Sequence, residues 1–210
     1  MQPGKKSRCN RTAPGAILLR MNIGILGNGN VGGTLGKRWA DIGHQVVFAS
    51  RDPASIEGAA KADVVVVALP FEAAREVLEP LDLNGKIVLD ATNPLLPNLA
   101  GLAVSGTTSA AEQVAQWARG ASVVKVFNTT GANNMADPIY NGEAATMFYC
   151  GDDAGAKAVA KRLASELGFE AIDAGPLSNA RLLEPLAMLW IWLAYPGGQG
   201  REMAFKLVRR

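Results

Sequence analysis

Gly27, Gly29 and Gly32 stand in the stretch Gly27-Asn28-Gly29-Asn30-Val31-Gly32, directly after the apolar run Met21 to Leu26 and at the head of an amphipathic segment. That spacing suits a backbone wrapped around a pyrophosphate. The first glycine makes the turn, the second lets the backbone approach the phosphates, and the third lets the helix pack on the strand. The free amides and positive dipole end of that helix would then face the anion. Glycine turns are common, so the setting matters. Val31, Leu35, Trp39 and Ile42 recur at helical spacing, and Gly43 stands where a helix would stop. Strand, turn and helix in this order predict a dinucleotide site rather than an ordinary loop.

The end of the second apolar run narrows the ligand. An enzyme that prefers NAD places Asp or Glu there to hold the ribose 2′-hydroxyl. This chain has Ser50 and Arg51, a hydroxyl and a planar cation that suit a 2′-phosphate. NADP(H) is therefore the expected ligand, with Ser55 placed to add a hydrogen bond. The alternative is an Arg51 that only solvates a helix start, its charge quenched by Asp52.

Thr92-Asn93-Pro94 and Asn128-Thr129 supply donors and acceptors that do not ionise. They suit the orientation of a carboxamide or a heterocyclic ring, and hydride transfer between two held rings needs no side-chain acid. Asn and Pro also favour turns, so a purely structural reading stands beside this one. Asp90 is expected to be buried and hydrogen-bonded. Lys125 is expected either to reach the cleft or, more simply, to snorkel from its strand end. No catalytic side chain and no metal site are expected, since the single histidine, His44, lies away from these loops and no Cys/His cluster occurs.

Seven apolar runs must position the loops: Ile23 to Leu26, Val46 to Ala49, Val64 to Leu69, Ile87 to Leu89, Val123 to Val126, Met147 to Cys150 and Ala171 to Asp173. Such runs suit buried parallel strands, and their alternation with helical patterns indicates an open parallel α/β sheet. Ser109 and Glu112 have capping-box spacing, and Asp152-Asp153 precede a helix that Gly168 should end. The first five runs are followed by the glycine turn, Ser50-Arg51, Pro70-Phe71, Ala91 to Pro94 and Phe127 to Thr130. In a parallel sheet these loops share the carboxyl edge, where open α/β folds bind ligands.

A chain of 210 residues that is 49% hydrophobic supports one full domain and a small appendage. A formal charge of +2, scattered along the chain, argues against a nucleic-acid partner. Residues 1–20 carry four cations before an apolar stretch too short for an export signal. They read as a disordered leader or a start-site artefact, with Met21 as the alternative start. Cys9 and Cys150 then read as reduced thiols of a cytoplasmic protein. Leu186 to Tyr195 is too short to span a bilayer, which excludes a membrane partner and leaves a buried helix or an oligomer contact. Trp190, Trp192 and Tyr195 read first as core and second as a partner-binding surface.

Taken together, the glycine turn, Ser50-Arg51, Asp90-Ala91-Thr92-Asn93-Pro94 and Lys125-Val126-Phe127-Asn128-Thr129 resemble the family of NADPH-dependent reductases of the 5-deazaflavin coenzyme F-420. The tail from Asn179 to Met188 resembles the bacterial branch of that family. The resemblance implies a Rossmann-type domain over residues 21–175, an open, mostly parallel sheet with helices on both faces. It also implies a short helical tail over 176–210 that pairs subunits into a homodimer. It further implies direct hydride transfer between NADP(H) and F-420. Gly27 to Gly32 would hold the pyrophosphate, Ser50 and Arg51 the 2′-phosphate, and Leu69-Pro70 the adenosine and ribose path. Asn93 and Asn128 would flank the nicotinamide. The family often has a further cation after the Ser-Arg pair, which Pro53 to Ile56 lacks. Two other classes compete: an NADPH-dependent reductase of a flavin, ferric complex, carbonyl or imine, and a non-catalytic NADP sensor. Related hydroxy-acid dehydrogenases carry a larger helical domain than the 35 residues after Gly175 allow.

Overall fold

The computed structural model describes residues 20–210. The expected leader up to residue 19 and Cys9 lie outside the described residues. Within them, the inner apolar runs become strands because side chains buried on both faces leave no polar stripe for water, whereas the edge strands of the sheet stay partly exposed. Val64 to Val67 is the extreme case, four β-branched residues in a row, all buried.

In chain order the strands are β1 (Asn22–Leu26), β2 (Gln45–Phe48), β3 (Val64–Val67), β4 (Ile87–Asp90), β5 (Ser122–Lys125), the short pair β6 (Ile139–Tyr140) and β7 (Glu143–Ala144), β8 (Thr146–Gly151) and β9 (Glu170–Asp173). The helices are α1 (Asn30–Ile42), α2 (Pro53–Ala60), α3 (Phe71–Leu78), α4 (Ala110–Trp117), α5 (Ala132–Ala136), α6 (Ala154–Glu166) and α7 (Ala180–Ala194). The main sheet runs β2-β1-β3-β4-β5-β8-β9, and β6 and β7 pair separately. β1 is flanked by β2 and β3, so the chain order reverses beside it. At such a switch point a crevice opens at the carboxyl edge. Leu35, Trp39, Met135 and Leu163 bring α1, α5 and α6 onto one face of the sheet. Ala59, Leu78, Val114 and Leu183 bring α2, α3, α4 and α7 onto the other.

β1 to β5 are parallel. β8 pairs antiparallel with β5, and β9 pairs parallel with β8. The expectation of parallel strands therefore fails for the last two runs, and the sheet is mostly rather than wholly parallel. The link from β5 to β8 holds only the five-residue α5 and the β6–β7 hairpin. A parallel return needs a full crossover, which this link lacks, whereas an antiparallel return does not.

The expected helix signals are in place. Gly43 and Gly168 take φ of 110° and 103°, the left-handed conformation that ends a helix. Ser109 Oγ accepts the Glu112 amide at 3.2 Å and donates to the Glu112 carboxylate at 2.7 Å. The Asp153 carboxylate accepts the Ala156 amide at 2.7 Å. In α7, Trp190 is buried and its indole N–H donates to the Met203 carbonyl at 2.9 Å. Trp192 and Tyr195 are exposed, so the expected core stripe holds only for its first member.

Candidate functional site

The glycine turn closes the gap between β1 and α1. Gly27 has φ of 101°, and a Cβ there would lie 2.4 Å from the Ala68 carbonyl oxygen. A Cβ at Gly32 would lie 1.9 Å from the Gly27 carbonyl oxygen. Both are glycines because of the protein's own packing. Gly29 differs: φ is −85° and an added Cβ would meet nothing within 4 Å. The described residues give no reason for glycine there, whereas a phosphate lying against the backbone would. Gly29 caps α1 without a side-chain hydrogen bond, and no acidic residue enters the first turn. By contrast, Asp52, Ser109 and Asp153 cap α2, α4 and α6. The first amides of α1 thus face the turn with their dipole uncompensated. This cradle fits a pyrophosphate.

Beside it, Gly27, Asn28, Gly29, Phe48, Ser50, Arg51 and Leu69 line a cleft of about 480 Å³, within the range of small-ligand sites. Pro70, on the exposed start of α3, does not line it. The loop after β2 is organised by Asp52, whose carboxylate accepts the Ser50 hydroxyl and the Ser55 amide. Ser55 Oγ in turn accepts the Ser50 amide at 2.9 Å. The Ser50 hydroxyl and the Ser55 contacts hold the Asp52 carboxyl down at about 2. Asp52 is thus committed to capping α2, and Arg51 is exposed with no ion pair among the described residues. The quenching of Arg51 by Asp52 does not occur through a direct contact.

Asn30 and Val31 belong to a second recess of about 400 Å³, shared with Thr34, Gly131, Asn133, Tyr195 and Arg201. Nothing in the sequence pointed to this recess, because its walls come from α1, α5 and the residues after α7.

The ends of β4 and β5 meet through their asparagines. Asn93 Nδ2 donates to the Asn128 carbonyl at 2.9 Å, and Asn128 Nδ2 donates to Asn93 Oδ1 at 3.2 Å and to the Leu183 carbonyl at 3.1 Å. Phe127 makes this junction possible by adopting φ of 63°. That conformation is rare for a bulky side chain and costs on the order of 1–3 kcal/mol. Its ring packs edge-on against Trp39, centroids 5.5 Å apart. Thr92 and Pro94 are buried, Thr92 Oγ1 and Asn128 Oδ1 have no partner among the described residues, and Asn93 is half-buried. Unpaired buried polar atoms at a strand edge call for an explanation, and a ligand is one.

Asp90 behaves as expected: its carboxylate accepts the Thr92 amide at 2.9 Å and the Lys125 ammonium at 2.9 Å. Lys125 does not reach the cleft or snorkel. It is wholly buried and also meets Glu184 at 3.0 Å. Burial alone would lower its pKa, but the Asp90 and Glu184 carboxylates outweigh that and raise it. Removing one partner from such a cluster costs about 3–5 kcal/mol.

Sequence comparison matches residues 22–62 and 55–94 to the family described as coenzyme F-420-dependent NADP oxidoreductase. An F-420-dependent NADP reductase of Methanothermobacter thermautotrophicus is 30% identical over 208 residues, spanning 81% of this chain and 88% of the relative. A crystal structure from Arthrobacter sp. FB24, provisionally assigned as an F-420-dependent NADP-reductase, has a TM-score of 0.79. It is 30% identical and covers 90% of this chain and 100% of that one. The metalloreductase STEAP3 of Rattus norvegicus is 29% identical over 187 residues, which are 81% of this chain but 37% of STEAP3.

Proposed function

The chain belongs to the coenzyme F-420-dependent NADP oxidoreductases, and on that premise we propose that it is an enzyme passing a hydride directly between NADP(H) and the deazaflavin F-420. The observation that carries the NADP half is Gly29, a glycine in ordinary backbone conformation with open space where its side chain would be. It stands beside a cleft that also presents Arg51, exposed and without an ion pair among the described residues.

In this reading Gly27 to Gly32 hold the pyrophosphate on the amides of α1, and Arg51 takes the 2′-phosphate. Ser50 and Ser55 turn their hydroxyls to it at the expense of their bonds to Asp52. Leu69 borders the adenosine and ribose, with Pro70 outside the cleft. Thr92, Asn93, Pro94 and Asn128 receive the nicotinamide. When both coenzymes are bound, NADPH would supply the hydride and solvent the proton that together reduce F-420, or the reverse; the chain's own residues bind and align the two rings, and none need exchange a proton. The domain spans 21–175 and the tail 176–210 is its pairing element, as in the bacterial branch. The protein works in the cytoplasm, and no helix among the described residues is long and apolar enough to cross a membrane.

Mixing the full chain with NADPH and oxidised F-420 and following loss of the deazaflavin absorbance tests the reaction, with free flavin and ferric chelate in parallel. Turnover on F-420 is expected; turnover on the other acceptors alone would refute the assignment. In the same assay Arg51→Ala should raise KM for NADPH by about 10- to 100-fold, the worth of a charge-assisted hydrogen bond. KM for NADH should barely move, and equal effects on both would count against the 2′-phosphate role.

A further inference from the structure

Three buried charges join α7 to the loops of the coenzyme edge. Lys125 Nζ lies 2.9 Å from Asp90 Oδ2, 3.0 Å from Glu184 Oε1 and 2.6 Å from the Thr92 carbonyl. Asp90 Oδ1 accepts the Thr92 amide at 2.9 Å. Thr92 is therefore held by both its amide and its carbonyl, immediately before Asn93. One residue earlier in α7, the Leu183 carbonyl holds Asn128, and Asn128 holds Asn93. Two consecutive residues of one helix thus restrain both asparagine loops.

The charges themselves need an account. One ammonium against two carboxylates leaves an excess negative charge in a fully buried place. The Ala110 and Ala111 amides at the start of α4 meet it, donating to Glu184 at 2.9 Å and 3.1 Å, where a helix favours an anion. A buried ionic cluster is poor evidence for stability, since well-packed apolar residues would hold α7 as well. What they would not do is grip the Thr92 carbonyl. The cluster also leaves Thr92 Oγ1 and Asn128 Oδ1 without a partner among the described residues, so it fixes these atoms without consuming them.

We propose that Glu184 is a positioning residue for the nicotinamide half of the site: through Lys125 it sets the place of Thr92 and Asn93, so that the tail helix governs how the ring is presented. This rests on the NADP reading above, and the test separates the two. Adenosine 2′,5′-bisphosphate probes only the Arg51 end, whereas NADPH probes the whole site. Calorimetry on the full-length Glu184→Gln chain should show the Kd for NADPH rising about 10-fold while that for the bisphosphate changes less than about twofold. Single-turnover reduction of F-420 should fall about 100-fold, as a small misplacement of a reacting ring allows.

A purely structural Glu184 would weaken both ligands alike or neither, and either result overturns the proposal. Should Glu184→Gln fail to fold, the triple variant Asp90→Asn, Lys125→Met, Glu184→Gln neutralises the cluster together, which buried charges tolerate better than the loss of one member. It still lacks the Nζ that holds Thr92, so the same split is expected, and unchanged affinities would overturn the idea. A wild-type chain that binds NADPH but does not reduce F-420 would remove the acceptor and leave the affinity comparison decisive. A wild-type chain that does not bind NADPH would remove both readings.

Discussion

Gly29 and Gly32 are three positions apart in one turn and are glycines for opposite reasons. Gly32 is crowded by the Gly27 carbonyl, while a Cβ on Gly29 would meet no atom of the described residues within 4 Å. Gly32→Ala should therefore cost about 2 kcal/mol of stability through overpacking. Gly29→Ala should melt within a degree or so of the wild type, because about half a kcal/mol of backbone entropy is all that changes. Its affinity for NADPH should nevertheless fall at least tenfold, which titration of the coenzyme would measure. An unchanged affinity would remove the main support for the phosphate site. Both glycines were readable from their spacing; which of them answers to the protein and which to a ligand was not, because that depends on Ala68 and Gly27 atoms brought close only by folding. Asp52 makes a similar point. Beside Arg51 in the sequence it looks like a quencher, yet its carboxylate caps α2. Its pKa is lowered from 3.8 to about 2, so the cap is complete above about pH 4 and is lost as pH falls through about 2. A carbon-detected titration of the Asp52 carboxyl should give that low midpoint, and a value near 3.8 would mean the cap is not formed.

β1 and α2 approach each other more closely than any side chain allows. A Cβ on Gly24 would lie 2.0 Å from the Ala59 carbonyl oxygen, so α2 rests directly on the backbone of β1. Gly24→Ala should cost about 3 kcal/mol in urea unfolding, and because α2 follows the Ser50–Arg51 loop, NADPH binding should weaken too. A variant as stable as the wild type would show that α2 can shift without loss. The apolar run containing Gly24 announced a strand, but a glycine within it announced nothing about α2. The same holds at the end of β5, where no local signal marks Phe127 as the residue that turns left-handed. Its φ of 63° is sustained by the fit of its ring against Trp39, a contact between residues far apart in the chain.

Over the whole molecule, α7 has two working sides. Leu183, Glu184, Ala187 and Trp190 face inward, while Leu182, Leu189 and Trp192 remain exposed at spacings that place them along one stripe. If this stripe pairs two copies, as the tail's resemblance implies, sedimentation should find a dimer in the wild type and a monomer for Leu189→Asp. A monomeric wild type at all concentrations would remove the pairing role. The amino-acid sequence by itself determined what depends on neighbours along the chain: the strand–turn–helix around Gly27 to Gly32, the Ser50-Arg51 pair, the helix caps, and five loops ending on one edge of a sheet. Only the tertiary structure decided the reversed direction of β8 and β9, the second recess beside Asn30, and the fate of Lys125. Lys125 was legible as a cation near a strand end, but its partners Asp90 and Glu184 come from another strand and from the tail. The amides that complete the cluster lie 74 and 73 residues from Glu184. Local patterns fix what a segment becomes because backbone conformation and burial periodicity act over a few residues. Which charges meet in the dark between segments is set by packing, and no spacing along the chain records it.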